Sequence, residues 1–148
     1  MNFNSLSELL LNHEPIPELV PVDIWNFELT SHINNLDAVP LIKAGLHLLN
    51  DNIEGCHVIV QDDSTPNGSY WHAILHRRES DYWNSKYWYR RVGNHPVIDA
   101  MKFEYPRWDP FDFVDQCEQN AGSNQERLQE IQYREMIVLF NQLSPNSL

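Results

Sequence analysis

Apolar positions along this chain recur mostly at three- and four-residue steps, the spacing of one helical face, and seldom alternate as they would in a half-buried strand. Ser5 opens the run SLSE, in which the Ser5 hydroxyl and the Glu8 carboxylate can each satisfy a free backbone donor, predicting a short helix to Asn12. Pro15, Pro17 and Pro21 then forbid regular helix, so this segment is expected to cross the core in extended form through Ile16, Leu19 and Val20. Ile24, Trp25, Leu29, Ile33 and Leu36 return to helical spacing, with Asp23 as the expected cap. Asp37 is placed to cap the next helix, with Pro40 in its first turn and Leu41, Ala44, Gly45, Leu48 and Leu49 along one stripe. Ile53, Cys56, His57 and Val60 suggest another helix, although the β-branched VIV also suits a strand.

After the turn-rich DDSTPNGS, Ser69 is expected to cap a helix that is unusual. Tyr70, Trp71, Ala73, Ile74 and Leu75 occupy most of its circumference, the pattern of a buried helix. The run SKYWYRRVG predicts a following helix, begun by Asp81 or Asn84, ended at Gly93 and stopped by Pro96. Asp109 and Pro110 open another that closes at Gly122. A second capping box, Ser123 with Glu126, starts a final amphipathic helix through Leu128, Ile131, Tyr133, Met136, Ile137, Leu139 and Phe140. The expectation is an all-α fold: one domain over residues 1–148, a bundle of about six to eight helices with a Pro-rich N-terminal crossing.

Composition changes this picture in two ways. At 148 residues the chain can bury roughly two thirds of its unfolded surface without staples. Its two cysteines, Cys56 and Cys117, therefore read as reduced thiols of a cytoplasmic protein. No basic leader and no apolar run long enough to span a bilayer argue for export or membrane insertion. A net charge of -11 opposes nucleic-acid binding, which draws on neutralised phosphates. The window from His72 to Pro96 runs against that charge, with Arg77, Arg78, Lys86, Arg90 and Arg91 against Glu79 and Asp81, so a small anion is the more plausible partner. The amphipathic C-terminal helix also leaves room for a homodimer.

That window carries the candidate chemistry. At about 100° per residue, His72, His76 and Glu79 fall on one helical face within roughly 60°. Two imidazoles and a carboxylate suit a divalent transition metal such as zinc, iron or manganese. His57, His72 and His76 are the expected metal ligands, Glu79 and His95 the catalytic candidates, and Arg90 with Arg91 the clamp for an anionic substrate. The competing reading makes the same residues a satisfied buried network, with Glu79 paired to an arginine from YRR and no ligand involved. Arg77 and Arg78 fit that structural role better than an anion site, and the aromatic cluster fits packing. His13, His32 and His47 lack a partner pattern, and Cys56 and His57, as neighbours on a helix, point too far apart to form a nucleophilic pair.

The stretch GSYWHAILHRRESDYWNSKYWYRRVGNHP resembles a group of uncharacterised bacterial and fungal proteins that share the form GxxWHxxxHRRExDxxNxKYWxRRxGxHP. Those proteins carry a short LxxxH segment upstream, which Ile53 to His57 resembles. The fixed positions are met from Gly68, Trp71 and His72 through His76, Glu79, Arg90 and Arg91 to His95 and Pro96. The resemblance covers about a third of the chain and implies membership of that group, with no reaction attached.

Overall fold

The computed structural model describes residues 1–123 and 125–144, and among them every regular element is a helix. They run α1 Phe3–Leu11, α2 Leu29–Asn34, α3 Pro40–Leu49, α4 Ile53–Val60, α5 Pro66–Arg78, α6 Tyr82–Val92, α7 Pro96–Glu104, α8 Pro110–Gln119 and α9 Glu126–Leu143. The all-α single-domain expectation holds, with one helix more than its upper count. The extra element is α7. Pro96 starts a helix where it was expected only to stop one, because a proline at the first helical position gives up a donor that had no partner anyway. His95 caps α7, its Nδ1 accepting from the Val97 amide at 3.1 Å.

Several helix starts lie at other residues than the pattern suggested. Asn2, not Ser5, caps α1, accepting from the Ser5 amide at 2.8 Å. Thr65, not Ser69, caps α5, because Pro66 sets the first turn earlier and the Thr65 hydroxyl accepts from Gly68. Asp37 is not the cap of α3, which starts after Val39 with no side-chain cap. The Ser123–Glu126 box does not form; Gln125 precedes α9, and the Ser123 hydroxyl donates to the Asn120 carbonyl instead. Asp23 caps nothing either: the helix expected from it shrinks to α2, while Trp25 and Asn26 donate to the backbone and side chain of buried Asn50. Those long-range partners replace the local ladder over residues 23–28.

The core is organised around α5, whose residues from Gly68 to Arg78 are all buried. It packs most extensively against α6, forming an αα-hairpin through Glu79, Ser80 and Asp81. The Ser85 hydroxyl donates to the Ala73 carbonyl at 2.7 Å and pins the two helices together. α4 covers another side of α5, α3 lies against both α4 and α5, and α9 packs on α3 and α7. Gly45 allows the close approach of α3, since a Cβ there would stand 2.5 Å from Trp71 Cζ2.

Two arginines are built into this core. Arg77 donates to Glu135 at 2.9 Å and to the Tyr89 hydroxyl at 2.8 Å, while Tyr70 and Tyr89 both donate to the second Glu135 oxygen. Burial opposes the Arg77 charge, but Tyr89 and Glu135 outweigh it and raise its pKa. Arg78 donates to Asp51 at 2.6 Å and to the carbonyls of Leu48 and Glu18, tying α5 to the turn after α3 and to the Pro-rich crossing. Of its guanidinium donors, Nε alone is left buried without a hydrogen bond. These residues are cross-braces between segments distant in sequence.

Candidate functional site

The side of α5 facing α4 carries His72 and His76 one turn apart, and α4 brings His57 to them. One ring nitrogen from each of the three can be chosen so that all lie within 4.8 Å of one another. The His72 and His76 rings stack at 4.7 Å and 20°, and His57 meets both edge-on at 5.4 and 6.1 Å. Tetrahedral zinc at about 2.0–2.1 Å from each nitrogen needs them roughly 3.4 Å apart and would lie in the plane of each ring, so the stacked His72 and His76 rings would turn out of their parallel arrangement to share it.

Two further groups shape this cluster. His76 Nδ1 lies 2.5 Å from Glu79 Oε1 and 3.9 Å from Asp81 Oδ2. A carboxylate accepting from Nδ1–H fixes the ring and leaves Nε2 with its lone pair free to ligate, the usual outer partner of a metal-bound histidine. Trp88 of α6 stacks on His72 at 3.9 Å and 13°, covering one face of that ring. Burial first, then the neighbouring His76 and His57, push the His72 pKa down to about 4. It is therefore neutral near pH 7, the form a metal requires. His72 Nδ1 is buried without a hydrogen-bond partner, and among the described residues neither ring nitrogen of His57 has one.

The remaining candidates divide. Glu79 is at the site, bonded to His76 and not to an arginine of YRR. Arg91 lies over the rings of Trp88 and Tyr87, at 5.5 and 5.9 Å, so it stands one side chain away from His72. Arg90 is exposed, and its guanidinium has no ion pair among the described residues. His95 does not join the three histidines: its Nε2 is 2.7 Å from Asn67 Oδ1 and its Nδ1 caps α7. Burial depresses its pKa, consistent with a neutral ring donating from Nε2 to Asn67. Trp88 escaped the sequence reading, since no periodicity says which of five clustered aromatics will cover a histidine. Gln132 and Glu135 also escaped it, although both fall within the apolar stripe of α9, where a polar residue signals a buried partner.

No protein-family model, curated protein or solved structure matches this chain. Among the described residues no helix is long and apolar enough to cross a membrane.

Proposed function

We propose that the protein binds a divalent transition metal at His57, His72 and His76 and acts on a small anionic substrate, by hydrolysis or a related lytic step. The observation that carries this reading is the convergence of three histidine nitrogens, drawn from two helices, beside a carboxylate that orients one of them. Zinc, iron or manganese fits a set of imidazoles, and such a metal would lower the pKa of a bound water toward neutrality. Glu79 holds His76 in its ligating orientation, with Asp81 beside it on the same Nδ1 side of the ring. Arg91, lying over Trp88, supplies the fixed charge that an anion at the histidines would meet, whereas Arg90 projects from the far side of α6. His95 serves the start of α7. The resemblance to the group sharing the HxxxHRRE pattern would extend the same site to those proteins. Two buried thiols without a disulfide partner, Cys56 and Cys117, support a reducing cytoplasmic setting.

Elemental analysis of the purified protein tests the metal. The expected result is one zinc, iron or manganese per chain, lost in His57→Ala, a half-buried position whose change spares the core, and in His72→Ala. A metal-free protein that takes up none of these ions on titration would refute it. For the anion, added phosphate should raise the melting temperature of the wild type and not of Arg91→Ala.

A non-catalytic binding module is the second reading, and one feature favours it: His72 already stacks on Trp88 and His76 already bonds to Glu79, as in a finished polar core. It predicts no metal and no loss of function in Glu79→Gln.

A further inference from the structure

The outer face of α6 differs from the rest of the surface. With about 100° per residue, Ser85, Tyr89 and Val92 point together into the core, and Trp83, Tyr87 and Arg90 point together away from it. Trp83 is 71 % exposed and Tyr87 37 %, yet their rings are nearly parallel, 15° apart with centroids at 6.3 Å. Single exposed aromatics are common on protein surfaces, but an aligned pair one turn apart, continued by two arginines, is a platform. The cations nearby are otherwise committed: Lys86 pairs with Asp115 at 2.6 Å, and Arg77 and Arg78 are buried. Arg91 spans the rings of Tyr87 and Trp88, and Trp88 lies flat on His72. A continuous path of rings and guanidinium thus leads from solvent at Trp83 to the histidine cluster.

We infer that the Trp83–Tyr87 face of α6 is a stacking ledge for a flat aromatic ring whose attached phosphate or carboxylate is held by Arg90. Aromatic side chains hold any flat π-ring by stacking, and a guanidinium fork supplies the matching bonds to an oxyanion. Two rings accommodate one ligand ring, and a chain of net charge -11 repels a long polyanion, so the ligand is a small molecule such as a mononucleotide or an aryl phosphate. The ledge needs neither the metal nor the Arg91 charge of the proposed function.

Calorimetric titration with adenosine monophosphate, phenyl phosphate, inorganic phosphate and adenosine tests it, with metal content measured in parallel. One or both ring-bearing phosphates should bind more tightly than inorganic phosphate. Trp83→Ala should weaken them by about ten-fold or more while leaving phosphate binding and metal content unchanged, and Trp83→Phe should restore most of the affinity. Arg90→Gln should weaken every anion and spare adenosine. Binding of adenosine monophosphate alone would narrow the ligand to nucleotides; equal binding of phenyl phosphate would widen it to aryl anions. The inference is overturned if neither ring-bearing probe exceeds phosphate, or if Trp83→Ala changes nothing. It also fails if sedimentation shows a dimer that Trp83→Ala dissociates, which would make the ledge a contact between two copies. A wild type without metal but with ring-dependent binding would sink the metal reading and leave the ledge standing.

Discussion

Two polar clusters share α5, and they are finished to different degrees. Around Arg77, both Glu135 oxygens, the Tyr70 and Tyr89 hydroxyls and the guanidinium bind one another inside the protein. Around His72, one turn back along the same helix, three ring nitrogens converge without binding one another, and one of them, on His76, is oriented by an outer carboxylate. A buried charge must be met within the fold or the fold becomes unstable, so a completed network belongs to architecture. A convergent set of ring nitrogens that do not hydrogen-bond one another is what a cation could complete. The difference teaches that clusters rich in His, Arg and Glu should be sorted by which atoms remain unanswered.

The comparison breaks first at Arg77. Arg77→Ala leaves Glu135 buried without its cation, and an unfolding free energy lower by about 3–5 kcal/mol in urea is expected; a loss under about 1 kcal/mol would mean that the network is not structural. Packing around the same helix can be challenged without touching charge. Gly45→Ala drives a methyl into Trp71 and should cost about 1–3 kcal/mol in the same assay, since α3 or the indole must shift. At the other cluster the effect should be on ligand and not on fold. Glu79→Gln should lower metal affinity about 10–100-fold in a chelator competition while shifting unfolding by no more than about 0.5 kcal/mol.

The smallest effect concerns a histidine outside both clusters. His47 is buried, with Nε2 at 2.8 Å from Asn34, and burial, then Lys43, lower its pKa from 6.5 to about 4. The unfolded chain therefore takes up a proton near pH 6.5 that the folded chain refuses until about pH 4. Stability should be fully present above pH 6.5 and decline as pH falls toward 4. His72 and His95, lowered in the same direction, contribute to the same limb, so His47→Gln should make it shallower without removing it in thermal melts, and an unchanged limb would assign it to the other groups.

Much of the fold was legible in the chain. Helical spacing marked most helices, and proline at a first helical position is visible in α3 and α8, because these are local steric facts. The same rule could have found α7 from the His-Pro pair at 95 and 96. The apolar circumference from Tyr70 to Leu75 marks α5 as the buried axis. The spacing of His72, His76 and Glu79 likewise put them on one face, since side chains one turn apart on a helix must be neighbours.

What the sequence alone determined is therefore what neighbours along the chain determine: helical class, the buried axis, and the shared face of His72, His76 and Glu79. Tertiary structure decided which distant groups answer them. It brought His57 and Trp88 to the histidines, gave Arg77 to Glu135 across 58 residues, gave Arg78 to Asp51, and placed His95 with Asn67. Those pairings depend on how helices pack, and packing is selected by the whole core at once, so no local pattern encodes them.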